Sequence, residues 1–455
     1  MNNKFKKWLN DNAITEVECL VPDLGGTARG KILPTKKFID GLKNNSHRMP
    51  QSIFIQTISG QYASDVEGGL SHDIYNPTDT DINIKPDFKT IRLVPWYDDP
   101  TAQVICDSNE MNGIPVKNAP RYILQKILKL YEDIGINPIV SPEVEFYLVK
   151  QNSDSDYPLE VPVGQSGRQE TGKQSYGIDA INEFDPLFED VYNFCEKQNI
   201  QIDTMNHESG SAQMEINFEH GEPLELADQV FLFKRTLRQT AVRHKLYATF
   251  MAKPMKDQPG SALHLHQSLV NKKDSKNIFS SNGTEFSKVF RNYIGGLQKY
   301  TPLLMPIYAP HVNSYKRLFA TYGSPKNINW GIGNRSCGFR IPVSDKENLR
   351  VENRLAGSDT NPYLVFAANL ASGYLGIKKK LTPTSETKES LFQQESTNLP
   401  SNVNAAIHLF EEDKDLREIF GDKFVKTLAA MRKVEYLAYM EVVSPWEREY
   451  LLLNV

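Results

Sequence analysis

Four short segments, far apart in the chain, share one pattern that constrains the fold more than any other feature. In Ser141–Leu148, Glu143 and Glu145 alternate with Val144, Phe146 and Leu148. In Gln213–Phe218, the polar Gln213, Glu215 and Asn217 alternate with Met214, Ile216 and Phe218. In Leu263–His266 both imidazoles fall on one side, and Arg350–Arg354 presents Arg350, Glu352 and Arg354 together. Successive side chains of a strand point to opposite faces, so each segment reads as a strand with one apolar and one polar face. Any one of them alone is an ordinary antiparallel strand with a solvated face. Here the polar positions hold carboxylates and histidines rather than the Lys, Thr and Ser of surface strands. Gathered into one sheet, they make a concave acidic surface whose charges repel unless it keeps protons or binds cations. Oxygen donors with an occasional imidazole suit Mg²⁺ or Mn²⁺. Zinc is disfavoured, since no cysteine joins the set.

A second cluster carries the opposite charge. Arg317, Arg335, Arg340, Arg350 and Arg354 are interleaved with Trp330, Gly331, Gly333 and Gly338. That glycine-rich, apolar setting argues for partial burial, and buried guanidinium groups need phosphate or carboxylate partners. Metal-binding carboxylates beside phosphate-facing arginines are what phosphoryl transfer requires. The chain has neither a GxxxxGK[ST] loop nor a kinase catalytic loop, so another scaffold must hold the nucleotide.

The remaining sequence sets the frame. At 455 residues and 51.7 kDa the chain is too long for one core. An opening helix is predicted on Phe5, Trp8 and Leu9, then a hairpin of Thr15–Val21 with Ala28–Leu33, and strand-like pieces at Ser52–Thr57, Thr90–Val94 and Ala102–Cys106. The first domain, residues 1–112, is therefore β-rich with about one helix. Residues 113–455 mix strands and helices as an α+β domain. Its first helix starts at Pro120, and longer ones are predicted at Leu224–Tyr247 and Asn361–Lys380. Leu381–Pro400 reads as an exposed loop, and the charged helical stretch from Asp413 ends in an apolar edge of Trp446 and the last leucines. A net charge of -4 and a pI near 6.2 point away from nucleic acid and membrane surfaces. No apolar run nears the roughly 20 residues that span a bilayer. The N-terminus lacks a signal peptide, and Cys19, Cys106, Cys195 and Cys337 lie too far apart for a disulfide pattern, so a cytoplasmic setting is expected.

The segments Ser141–Leu148, Glu208–Glu215, Gly260–His266, Asn334–Arg340 and Arg350–Pro362 resemble the signature blocks of type I glutamine synthetases. Gly260-Ser261 followed by His264 and His266, Asn334-Arg335-Ser336 and Asn361-Pro362-Tyr363 carry the likeness. Within that superfamily the chain looks closest to γ-glutamylpolyamine and γ-glutamylputrescine synthetases. The resemblance implies a small β-grasp N-terminal domain and a larger catalytic domain with a curved antiparallel sheet. It implies one metal on Glu145, Glu208 and Glu215, another on Glu143, His264 and Glu352, and two to three Mg²⁺ or Mn²⁺ per site. His266 and Ser268 would lie by ATP, with Arg340 and Arg350 on its phosphates. Arg335 would stabilise the transferring phosphoryl group, while Gly260, His264, Arg317 and Arg354 would hold glutamate. Catalytic roles fall to Arg335, Arg317 and Glu352. The implied reaction joins glutamate to an amine through γ-glutamyl phosphate, in a homo-oligomer, a dodecamer with active sites between subunits.

Ammonia-using members of the family carry an acidic residue in the N-terminal domain and another on a flap. Thr57 and Gly323 stand at the matching positions, which favours a larger amine over ammonia. A polyamine such as putrescine ranks first by resemblance, with monoamines as alternatives. Tyr62, Asp65, Glu67 and Tyr322 are further acceptor contacts to consider. An ordinary glutamine synthetase and a non-catalytic protein of the same fold remain the competing readings.

Overall fold

The computed structural model describes residues 3–64, 70–71, 74–281, 286–320, 323–393 and 398–455. Its first part builds a six-stranded sheet from β1 (Glu16–Pro22), β2 (Ala28–Pro34), β3 (Arg48–Pro50), β4 (Asp81–Pro86), β5 (Arg92–Leu93) and β6 (Thr101–Asn109). The order is β2-β1-β6-β4-β3, with β5 also on β6. β1 runs antiparallel to β2 and parallel to β6. Helices Asn3–Asp11 and Thr35–Asn44 bury Phe5, Leu9 and Phe38 in one apolar cluster with Val17, Cys19, Val21, Ile84 and Val104. This is the expected β-grasp layout, with a second helix that the sequence reading lacked.

Ser52–Thr57 does not form the predicted strand. Gln51–Phe54 is a 3-10 turn, because the Asp79 carboxylate captures the Ser52 amide and hydroxyl, both at 2.8 Å. Those donors are then lost to any strand ladder. Asp65, Glu67 and Tyr322 lie outside the described residues.

The next helix, Pro120–Asp133, has proline in its first turn as predicted. Its Arg121 reaches Asp107 (2.6 Å) on β6, Asp87 (2.7 Å) just after β4, and Asp228 (2.9 Å) on helix Pro223–Arg243.

The second sheet has eight strands: β7 (Ile136–Lys150), β8 (Ile202–His207), β9 (Gln213–Phe218), β10 (Leu246–Thr249), β11 (Leu263–Asn271), β12 (Trp330–Ile332), β13 (Phe339–Ile341) and β14 (Val351–Asn353). The order is β12-β13-β14-β11-β7-β9-β8, with β10 also on β7. All four predicted strands are thus neighbours, as β14-β11-β7-β9, each antiparallel to the next. Their apolar positions, including Val144, Phe146, Leu148, Met214 and Ile216, share the main core with Phe233 and Leu237 of helix Pro223–Arg243. That helix ends earlier than predicted. Lys245 adopts a left-handed φ of 58° and the chain returns as β10, so Leu246–Tyr247 belongs to the sheet. Asn361 caps helix Pro362–Lys379, its side chain accepting from the amides of Tyr363 (3.0 Å) and Leu364 (3.4 Å). All four cysteines are buried and free. Among the described residues, no helix is long and apolar enough to cross a membrane.

Candidate active site

Register brings the site together. On β7, Glu145 pairs with Glu215 of β9, and Glu143 pairs with His264 of β11. His266 of β11 pairs with Glu352 of β14, which in turn pairs with Arg340 of β13. Directly opposed residues stand about 5 Å apart, so the polar faces form one continuous row across five strands. Glu208 joins it from the turn between β8 and β9. Oxygens of Glu145, Glu208 and Glu215 lie within 4.8 Å of one another, as do ligand atoms of Glu143, Glu215 and His264, and of Glu143, His266 and Glu352.

The electrostatics of this row show what it lacks. Burial, and then the charge of Glu208, pushes Glu145 up to about 8. Burial and the carboxylates of Glu143, Glu145 and Glu208 push Glu215 well up. Two buried carboxylates and the half-buried Glu208, itself raised by burial and Glu143, offer only oxygen donors and fit a hard divalent cation. Burial opposes ionisation of Glu143 too, yet His264 and His266 hold it well below the usual carboxylate range. Glu352, 1% exposed, is held at about 2 by Arg354 against burial, and it accepts from both Arg354 and Arg340, the latter at 2.7 Å. His264 Nδ1 lies 3.3 Å from Glu143 and 3.8 Å from Glu352, but the grouped ligand atoms set His264 with Glu143 and Glu215, and Glu352 with Glu143 and His266. His266, expected only beside the nucleotide, also touches Glu143 at 2.8 Å and accepts from Arg350 Nε at 3.3 Å.

Two cavities flank the row. Glu145, Glu208, Gly260, His264, Arg317, Gly323, Arg335 and Arg354 line one of about 300 Å³. His266, Ser268 and Arg350 line the other, of about 870 Å³. Arg317 is 2% exposed and donates to the carbonyls of Leu355 and Arg354, both at 3.0 Å. Its Nε, like those of Arg340 and Arg354, is buried with no hydrogen-bond partner among the described residues. Unsatisfied buried donors of this kind call for an anionic ligand. Sequence reading missed Lys173 and Phe392, which line the smaller cavity. Both sit in polar loops, where no periodicity marks a functional side chain.

Residues 117–451 match the family model described as glutamine synthetase, catalytic domain. The chain belongs to the glutamine synthetase family. It is 31% identical to gamma-glutamylputrescine synthetase of Escherichia coli over 99% of this chain and 94% of that one. It is 29% identical to the glutamate–isopropylamine ligase of a Pseudomonas species, over 98% of this chain and 96% of the relative. A solved structure of apo GmaS superposes with a TM-score of 0.82 at 26% identity, covering 98% of both chains. The α+β architecture is therefore that of the glutamine synthetase family. Thr57 and Gly323 are the residues that the family resemblance sets against the acids of ammonia-using members. Thr57 is buried, and its hydroxyl donates to the Gln61 carbonyl at 3.0 Å within its own loop. Gly323 has φ +101°, and among the described residues nothing lies within 4 Å of where a side chain would begin.

Proposed function

We propose that this protein is an ATP-dependent ligase that joins the γ-carboxylate of glutamate to an organic amine. The observation that carries this reading is the shared cavity, in which the cation-fitting carboxylates Glu145 and Glu208 face Arg317, Arg335 and Arg354. In this reading Glu145, Glu208 and Glu215 hold one divalent cation, and Glu143, His264 and Glu352 another. When bound, such cations neutralise charge on phosphoryl oxygens. His266, Ser268, Arg340 and Arg350 bind ATP. Gly260, His264, Arg317 and Arg354 hold glutamate, with the free guanidinium donors taking its carboxylates. A carboxylate is a poor electrophile, so its oxygen first attacks the γ-phosphorus of ATP and ADP leaves. Arg335 stabilises the transferring group. The amine nitrogen then attacks the acyl phosphate carbon, loses a proton, and orthophosphate departs.

Gly323 and Thr57 favour an organic amine over ammonia, because neither supplies a carboxylate to gather and deprotonate ammonium. Relatives of similar identity include putrescine and isopropylamine ligases and glutamine synthetases alike, so the choice rests on these two positions and leaves diamine and monoamine open. The division at residues 112/113 and a dodecamer with sites between subunits complete the proposal. The test is phosphate release from ATP with Mg²⁺ and glutamate, comparing ammonium with putrescine, methylamine and isopropylamine. Strong turnover with an amine and little with ammonium is expected. Efficient turnover with ammonium makes the protein an ordinary glutamine synthetase.

A further inference from the structure

One buried side chain touches three separate pieces of the site. Gln213, at the start of β9, is 1% exposed and pairs with Tyr147 of β7, two positions along from the Glu145–Glu215 pair. Its Nε2 lies 3.3 Å from Glu145 Oε2 and donates to the Gly260 carbonyl at 3.1 Å. Its Oε1 accepts from the Gly210 amide at 2.9 Å, in the turn that carries Glu208. A carbonyl can only accept and a backbone amide can only donate, so these neighbours fix which end of the Gln213 amide faces which way. A Cβ at Gly210 would collide with the Tyr147 hydroxyl and lie 2.8 Å from Gln213 Oε1, so the turn packs directly on this side chain.

These contacts orient as well as hold. Glu145 Oε2 also accepts from the Ala262 amide at 2.8 Å, so two donors take that oxygen and Oε1 is the one left for a cation. A glutamine suits the position for a chemical reason. It offers donors at one end and an acceptor at the other, and it carries no charge. An arginine or lysine there would neutralise Glu145 and repel the cation, and a carboxylate would lack the donors. All of these contacts lie within one chain, on two paired strands and the loops joined to them, whatever the assembly of subunits.

We propose that Gln213 is a positioning residue that locks Glu145, Gly260 and the Glu208 turn into one arrangement, and so sets the affinity for both the divalent cation and glutamate. This rests on the amine-ligase reading, which gives those three pieces their ligands. The experiment compares the wild type with Gln213→Met and Gln213→Asn. Methionine keeps the length without polar atoms, whereas asparagine keeps the amide but is too short to reach Glu145 and Gly210 together. Mn²⁺ binding is titrated by the loss of the free-ion EPR signal, without ATP. The KM values for glutamate and ATP come from phosphate release at saturating Mn²⁺. In both variants one class of Mn²⁺ site should weaken, and the KM for glutamate should rise, by about tenfold or more, the scale of a lost partner behind a metal ligand. The KM for ATP should stay nearly unchanged. Wild-type constants in Gln213→Asn overturn the proposal, because polarity without the bridge then suffices. All three constants moving together, or a Gln213→Asn chain that does not fold, also overturn it and leave Gln213 a core residue. A wild type that binds Mn²⁺ yet releases no phosphate with glutamate and ammonium or any amine overturns the ligase reading instead, and the Mn²⁺ titration still decides on Gln213.

Discussion

Gly260 is where the glutamate side of the site has least room. A Cβ there would lie 2.5 Å from Arg317 Cγ and 2.6 Å from the Ala252 carbonyl oxygen. Real Cβ atoms do not approach so closely, so Gly260→Ala must displace Arg317, whose buried guanidinium is otherwise fixed by two backbone carbonyls. Because small misplacements of binding groups cost large factors, the KM for glutamate should rise by about tenfold or more. The KM for ATP should change little. Equal rises in both would instead mean general damage to the fold. The carboxylate row makes a second prediction. Stripping divalent cations with EDTA should abolish phosphate release and lower the melting temperature, and Mg²⁺ or Mn²⁺ should restore both. A cation at one hundred times its Kd adds about 2.7 kcal/mol to the folded state. A metal-free protein that melts at the same temperature would show that Glu145, Glu208 and Glu215 hold no cation.

Among the elements, helix Pro223–Arg243 carries the most unusual charge. Lys234 is buried and donates to the carbonyls of Ser358 (2.6 Å) and Thr360 (2.9 Å) beside a separate cavity of about 780 Å³. Burial, and then Arg238, lowers its pKa from 10.5 to about 7. Between those values the unfolded chain binds the proton and the folded one releases it, so this residue's contribution to stability rises with pH across the window. Calorimetry at pH 7, 8 and 9 should show the wild type gaining on Lys234→Met as pH rises. Parallel curves would show that the lysine is not depressed. The elements also differ in how much the sequence revealed. Strict alternation with a buried face on one side made β7, β9, β11 and β14 plain, and with them most of the carboxylate row. Thr35–Asn44 was missed because only Phe38 and Gly41 are buried on it, too few for a stripe. The end of helix Pro223–Arg243 was overrun because no Gly or Pro precedes β10. Lys173 gives no signal, because it lines the cavity only once distant loops have met.

For the molecule as a whole, Arg121 joins the first sheet to helix Pro223–Arg243, which packs on the second. One buried guanidinium serves Asp87, Asp107 and Asp228, and Asp228 also accepts from Tyr363 at 2.7 Å. Removing the cation strands a buried carboxylate, so Arg121→Met should cost about 3–5 kcal/mol in denaturant unfolding. Arg121→Lys should recover only part, since one ammonium cannot fork to three acids. A loss below about 1 kcal/mol, the range of an exposed pair, would show that the joint is not held this way. The same architecture sets where the chain can change in length over evolutionary time. One residue inserted into β7 between Ser141 and Leu148 would turn Glu143 or Glu145 into the core and Val144 or Phe146 towards the ligands. The 151–177 excursion faces no such parity. Insertions and deletions among relatives should collect there, while the cation row stays fixed in step.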